Sequence, residues 1–450
     1  MSDDFSREFA YPIILIIFVK KKKSPDRRLK TEKFFMIGFK RKTLENGLRV
    51  IIHEDDSTPM AVVNLLYDVG SSDEDPERTG SAHLLEHLMF GGSANIPSYD
   101  RVVQRAGGEN NAFTSNDITN YYLHLPAANV ETGMWLESDR MLGLRFTRKG
   151  FDIQKNVVIE EFKQRYLNQP YGDIWMLLRP LAYKVHPYKW PTIGMDISHI
   201  EKITLEEIER FYYEHYCPSN AILCISGNVK AGHCFGLAEK WFGPIEKRKK
   251  TGRRLPAEPP RSRPLKTDVS RDVPAHEIVI AYNMCARNTP LYYVHDLISD
   301  LLAGGKSSRL YRHLVMEKKL LTGVNAYITG DRDPGLFIVR GRPADGISIE
   351  LAHGEILAGI GDLTDRPPSR EELDKVKNKL EATRQYMHSD ILHKAIDLSY
   401  QELLGDAEGI NNEIAIYRKI TPGDILEAAA SLFEPANSST LFYRSGQLPE

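Results

Sequence analysis

The apolar positions along the chain fall into runs with the spacing of strands and runs with the spacing of helices. Short apolar runs predict strands at residues 48–52, 61–67 and 221–227. Apolar residues three and four apart predict five helices, near residues 81–90, 97–106, 127–144, 151–168 and 204–215. A further series of strands and helices follows to the C-terminus, and this alternation predicts an α/β or α+β architecture.

A basic, proline-rich segment divides the chain. Residues 245–264 contain four prolines between positions 256 and 264 and almost no apolar periodicity, which is typical of a linker. We therefore predict an N-terminal domain over residues 36–245, a linker over 246–266 and a C-terminal domain over 267–450.

The two parts repeat one another in sequence. Three segments of the first part recur in the second, in the same order and at offsets of 213 or 217 residues. The aligned pairs are HLLEHLMFGGS (83–93) with DLISDLLAGGKS (296–307), KITLEEI (202–208) with KITPGDI (419–425), and CPSNAILCISGN (217–228) with EPANSSTLFYRSG (434–446). This pattern predicts two structurally related domains.

The first 35 residues differ from the rest. Their apolar run, residues 9–19, is too short to span a bilayer, which takes about 20 residues, and it lacks the flanks of a secretion signal. We predict no transmembrane span and a cytoplasmic protein. We also predict that translation begins at Met36, so that residues 1–35 are a mis-assigned extension or a loose tail; the alternative is a peripheral membrane anchor.

Charge and cysteine content exclude several classes of protein. The net charge is −2, and because the tail carries nine basic and five acidic residues, it falls to −6 without the tail. This balance argues against a nucleic-acid-binding protein. The four cysteines form no C-x-x-C pair, so we expect buried free thiols in a reducing compartment.

The chemistry is concentrated in an H-x-x-E-H motif at residues 83–87. On a helix, His83 and His87 point the same way and can hold a metal ion together with a third ligand. Glu86 lies on the neighbouring face, where it can take a proton from an attacking water. This reversed motif is a signature of zinc metallopeptidases. The alternative is two helix histidines with ordinary hydrogen bonds and Glu86 in an ion pair.

Candidates for the third ligand are Glu160 and Glu161, on the helix predicted at residues 151–168. The alternative for both is a solvated acidic face whose carboxylates pair with nearby cations. Those cations are Lys155, Lys163 and Arg165.

Three segments together resemble the pitrilysin/insulinase-like zinc metallopeptidases, particularly the small branch with mitochondrial-processing-peptidase-like subunits. These are HLLEHLMFGGS, GGENNAFTSNDITNYY (107–122) and VVIEEFKQR, and the resemblance covers about residues 40–446. It implies an α+β fold of two homologous αβ domains, each an antiparallel sheet packed with helices, that form half of a clam-shell chamber. It also implies one Zn²⁺ per chain, with Glu161 as the third ligand and Glu160 as the alternative.

The resemblance further implies that Asn111, Ala112 and Thr114 lie on an edge strand that lines the cleft. Such an edge binds an extended peptide through main-chain hydrogen bonds. The alternative is a hairpin whose Gly and Asn residues serve the turn alone.

Two departures from the family pattern affect function. Gln154 stands where the family usually has a second glutamate, and we expect it to hydrogen-bond a metal-ligating histidine without adding charge. Val315 and Thr322 stand where many members carry an arginine and a tyrosine that stabilise the oxyanion, whereas we interpret Arg309 and Tyr311 as structural. We therefore predict a heterodimer with a same-fold subunit that supplies the Arg/Tyr pair, with a homodimer as the alternative.

These observations favour a zinc endopeptidase that hydrolyses peptides or unfolded segments inside a chamber, with Glu86 as the base. The main alternative is a non-catalytic core or scaffold subunit of a processing-peptidase-like complex. A third hypothesis uses the same metal site for a non-peptide hydrolysis. We expect His186 and His199 to serve packing and loop hydrogen bonds.

Overall fold

Two β-sheets, each covered by helices on both faces, organise the part of the chain that the structure describes. The structure is a computed structural model that describes residues 36–248, 252–253 and 255–446. The tail predicted for residues 1–35 lies outside the described residues. Within the described ranges, none of the helices has the length and hydropathy that a membrane span requires.

The strands divide into a six-stranded and a five-stranded sheet. The first sheet contains β1 (Lys40–Thr43), β2 (Arg49–Glu54), β3 (Met60–Tyr67), β4 (Glu109–Thr114), β5 (Thr119–Pro126) and β6 (Ala221–Gly227). The second contains β7 (Leu265–Arg271), β8 (Glu277–Asn283), β9 (Leu321–Ile328), β10 (Leu336–Pro343) and β11 (Ser438–Ser445). The spatial orders are β1-β2-β6-β3-β5-β4 and β7-β11-β8-β10-β9.

Helices occupy most of the remaining described residues. The first part of the chain contains α1 (Ser81–Leu88), α2 (Tyr99–Arg105), α3 (Val130–Leu142), α4 (Arg148–Phe162), α5 (Ile174–Ala182), α6 (Ile197–Lys202), α7 (Leu205–His215) and α8 (Ala231–Phe242). The second part contains α9 (Pro290–Ala303), α10 (Ile349–Asp365), α11 (Arg370–Met387), α12 (Ile391–Leu404), α13 (Gly409–Lys419) and α14 (Pro422–Leu432).

The three predicted strands correspond to β2, β3 and β6, and the five predicted helices to α1, α2, α3, α4 and α7. Helix α4 differs at both ends from the predicted range. It begins at Arg148 because the Thr147 side chain accepts a hydrogen bond from the Gly150 N–H. Beyond Phe162 it continues as a π-helical turn, Lys163–Leu167, rather than as α-helix.

The predicted duplication and α+β fold class are confirmed. The order β2-β6-β3-β5-β4 recurs as β7-β11-β8-β10-β9. Each sheet has one parallel pair, β2 with β6 and β7 with β11, among antiparallel neighbours. The aligned KIT segments are capping boxes in which Thr204 and Thr421 begin α7 and α14.

The two halves exchange one helix each. Ala395 and Leu398 of α12 pack against the first sheet, in a buried cluster with Val62 of β3 and residues of β2 and β6. Helix α5 belongs to the first half of the chain but packs on the second sheet, where its Leu178 lies in a buried cluster with Ile338. Each sheet therefore depends on a helix from the other half, and the predicted domain boundaries remain a prediction.

The described part of the predicted linker lacks helix and strand up to β7 but is anchored. The Glu258 carboxylate accepts hydrogen bonds from three consecutive N–H groups, those of residues 184–186, at 2.6–3.0 Å. Arg253 forms an ion pair with Asp117 at 2.6 Å. The segment is therefore fixed to the first half.

Candidate metal centre

Helix α1 carries the H-x-x-E-H motif, and its start is fixed from two sides. Gly80 precedes it with φ of +96°, and a Cβ there would lie 2.6 Å from the Ile193 carbonyl oxygen, so only glycine fits. The buried Glu74 carboxylate accepts hydrogen bonds from the N–H groups of Gly80 and Ala82 at 2.9 and 2.8 Å. A carboxylate at a helix N-terminus accepts hydrogen bonds from N–H groups that have no partner within the helix. Its negative charge also interacts favourably with the positive end of the helix dipole. We did not predict this role of Glu74 from the sequence.

The structure brings His83, His87 and Glu161 together. The two imidazole centroids lie 4.7 Å apart. Glu161 Oε2 lies 3.4 Å from His87 Nε2 and 4.0 Å from His83 Nε2, and one ligand atom from each of the three residues lies within 4.8 Å of the others. Ligands about 2.0–2.1 Å from a tetrahedral zinc ion stand about 3.3 Å apart, so this donor set fits Zn²⁺ after a small contraction.

The alternative ligand, Glu160, lies elsewhere. It pairs with Lys163 at 2.7 Å, and 71% of its side chain is exposed. Glu161 has only 18% of its side chain exposed, and its other oxygen, Oε1, lies 3.2 Å from Arg165 Nε. Geometry thus favours Glu161 over Glu160, while the ligand role itself remains a prediction.

The protonation preferences of His83 and Glu161 suit metal binding, whereas that of His87 opposes it. Burial, with help from the neighbouring His87, lowers the pKa of His83 to about 4, so its imidazole is neutral at pH 7. Burial opposes ionisation of Glu161, but the hydrogen bond from His87 and the charges of His83 and Arg165 lower its pKa to about 2. Burial also lowers the pKa of His87, but contacts with Glu161 outweigh it, so that this pKa is raised.

The Gln154 side chain lies close enough to His87 to help raise its pKa, as expected for a residue that supports a ligand. It lies on α4, as Glu161 does, and α1 packs against this helix. Its supporting role remains a prediction.

Glu86, the residue before His87 on α1, is buried, with 8% of the residue exposed. Its Oε2 accepts a hydrogen bond from the Thr114 hydroxyl on β4. Thr114, which we predicted to bind substrate, therefore also contacts the predicted base.

Among the described residues, β4 is the edge strand of the first sheet beyond β5, and it packs against α1. The Ala112 N–H donates to the Asn111 side-chain Oδ1 at 2.8 Å. A peptide that pairs with this N–H has to displace the Asn111 side chain. Peptide binding by Asn111, Ala112 and Thr114 remains a prediction.

In the second copy of the repeat, residues 296–307, the positions of the two histidines carry aspartates that form a hydrogen bond and an ion pair. Asp296, which aligns with His83, accepts a hydrogen bond from the Tyr417 hydroxyl at 2.5 Å. Asp300, which aligns with His87, pairs with Lys379 at 2.9 Å.

The remaining candidates are structural in their contacts. Arg309 pairs with Glu372 at 2.9 Å, as expected for a structural residue. His186 lies 3.2 Å from Asp333 Oδ2, and His199 lies 2.9 Å from the Thr79 hydroxyl, so both make the predicted loop hydrogen bonds.

Comparisons with known proteins agree with this architecture. The family model "Insulinase (Peptidase family M16)" matches residues 49–192, and "Peptidase M16 inactive domain" matches residues 202–380. The zinc protease PqqE of Helicobacter pylori is 30% identical over 417 residues, which is 89% of this chain and 92% of the relative. The name zinc protease, which these relatives carry, indicates that peptidase activity is a property of the family.

Solved structures show the same fold. A protease from Helicobacter pylori has a TM-score of 0.85 at 28% identity, covering 91% of this chain and all of that chain. The periplasmic protease PqqL from Escherichia coli has a TM-score of 0.75 at 18% identity, and the match covers 91% of this chain but only 48% of PqqL. The fold is thus that of one half of the longer protease, and the chain belongs to peptidase family M16, the insulinase family.

Proposed function

We propose that this chain is a zinc-dependent endopeptidase that hydrolyses peptides or unfolded protein segments. The main support is the convergence of His83, His87 and Glu161 beside the buried Glu86. These three residues would hold one Zn²⁺, which supplies a Lewis acid that polarises the scissile carbonyl and activates water.

The chain's own residues supply the proton transfers and the alignment. Glu86 takes the proton of the attacking water and returns it to the leaving amine, a role typically worth about 10²–10⁴ in rate. The Thr114 hydroxyl holds Oε2 of this carboxylate, and Gln154 orients His87. The edge strand β4 aligns the peptide backbone.

A second subunit completes the site in this proposal. The chain covers about half of PqqL, and Val315 and Thr322 stand where an arginine and a tyrosine are expected. We propose a heterodimer with a same-fold partner that supplies this pair, and a homodimer is the alternative. The four cysteines are free thiols, which supports a cytoplasmic location.

The missing pair also favours the second candidate, a non-catalytic core or scaffold subunit. Zinc content and peptide hydrolysis, measured on the wild type and on Glu86→Gln, distinguish the two. A peptidase retains zinc in both proteins and loses activity at least 100-fold in the variant. Glu160→Gln is the matched control and keeps both, because Glu160 points away to Lys163.

A wild-type chain that binds no zinc would instead support the scaffold. The same assay, run with and without candidate partners, tests the dimer. Full activity from a strict monomer would contradict the need for a partner.

A further inference from the structure

Arg165 lies at the rim of the proposed zinc site. It belongs to the π-helical turn Lys163–Leu167 that extends α4, and isolated π turns occur frequently at functional sites. Its Nε lies 3.2 Å from Glu161 Oε1, while Glu161 Oε2 faces the two imidazoles. The guanidinium therefore contacts the ligand from the side away from the histidines.

The Arg165 side chain is partly available to solvent. Half of it is exposed, and Glu161 is its one ion-pair partner among the described residues. The neighbouring cation, Lys163, is engaged by Glu160 at 2.7 Å. Arg165 thus presents partly exposed, charged N–H donors next to Glu161, the predicted third ligand.

The loop that follows fixes the position of the turn. Tyr171 adopts φ of +64°, a left-handed conformation that is uncommon for a bulky residue. Its hydroxyl donates to the Ala275 carbonyl at 2.9 Å and accepts from the Ala275 N–H at 3.1 Å. At Gly172 the loop folds back so closely that a Cβ would lie 2.5 Å from the Arg165 carbonyl oxygen. The second half therefore holds the backbone of Arg165 in place.

We propose that Arg165 binds a carboxylate of the peptide substrate end-on and makes the enzyme selective for peptides that carry one near the cleaved bond. Two Nη groups match the two oxygens of a carboxylate in a planar, charge-assisted pair. The carboxylate is either an Asp or Glu side chain or the free C-terminus. This inference rests on the proposed function.

The test uses three peptides of one sequence. The first has an internal glutamate and an amidated C-terminus, the second has glutamine there, and the third has glutamine and a free C-terminal carboxylate. Binding to the zinc-loaded full chain is measured by calorimetry in a Glu86→Gln background, and kcat/KM is measured with Glu86 present. The variants are Arg165→Gln and Arg165→Glu. The matched control is Lys163→Gln, which removes an exposed cation of the same turn.

We expect the parent chain to bind at least one carboxylate peptide about tenfold more tightly than the neutral peptide. Arg165→Gln should abolish this ratio with little change for the neutral peptide, Arg165→Glu should reverse it, and Lys163→Gln should preserve it. Tighter binding of the first peptide assigns a side chain, and tighter binding of the third assigns the C-terminus.

Two results would overturn the inference. One is the absence of any carboxylate preference in the parent chain. The other is an equal loss for all three peptides in Arg165→Gln, since this would mean that Arg165 only positions Glu161. Binding preference without hydrolysis would refute the proposed peptidase but support the role of Arg165.

Discussion

The hydrogen bond from Thr114 to Glu86 gives the sharpest test of how the predicted base is positioned. Thr114→Val keeps the shape of the side chain but removes the only donor that it offers to the Glu86 carboxylate. A hydrogen bond to a charged group is worth about 1.5–3 kcal/mol, and about 1.4 kcal/mol is a factor of ten. We therefore expect kcat to fall about 10- to 100-fold.

The assay measures kcat, KM and zinc content for the wild type, Thr114→Val and Thr114→Ser. Serine keeps the hydroxyl, so kcat should stay within about threefold of the wild type. Zinc content should be unchanged in both variants, because Thr114 contacts the base and not the three predicted ligands. KM should change little if Thr114 acts through Glu86 and not on the peptide.

Two outcomes would refute this reasoning. Wild-type kcat in Thr114→Val would mean that Glu86 needs no support from β4. A rise in KM with unchanged kcat would instead support the prediction that Thr114 binds substrate.

Two further predictions concern the metal and the exchanged helices. Gln154→Glu adds a carboxylate close to His87 and should tighten zinc binding about tenfold in a chelator competition; unchanged or weaker binding would contradict it. Leu398→Ala in α12 opens a cavity against the first sheet and should cost about 2–5 kcal/mol of unfolding free energy in urea. Leu357→Ala, at a partly exposed position, serves as the control. If the first sheet unfolded in a separate transition that Leu398→Ala left unchanged, the packing of α12 on that sheet would be contradicted.

Local spacing explains how much of the site could be predicted. The four-residue step from His83 to His87 sets a common direction on any helix, so the pair follows from sequence alone. The choice between Glu160 and Glu161 does not, because adjacent residues lie about 100° apart and only the packing of α4 decides which faces α1. The resemblance supplied that choice, and the geometry agrees with it.

The exchange of α5 and α12 lay beyond sequence reasoning. Amphipathic spacing shows that a helix has an apolar face but not which sheet receives it.

The equivalence of β4 and β9 could have been predicted from the sequence. Asn111-Ala112-Phe113 of β4 recurs as Asn325-Ala326-Tyr327 of β9, at an offset of 214. These two edge strands are equivalent, as their places in the two sheets show.

The second copy shows what the fold requires of the helix pair that carries the site. His87 on α1 faces Glu161 on α4, and in the equivalent helices Asp300 on α9 faces Lys379 on α11. A single ion pair between partly exposed groups contributes little to stability, so the buried apolar residues around it must hold α9 against α11. The same packing surrounds α1 and α4. The packing of the helix pair therefore sets where the three donor groups lie, and the first copy differs from the second in chemistry more than in architecture.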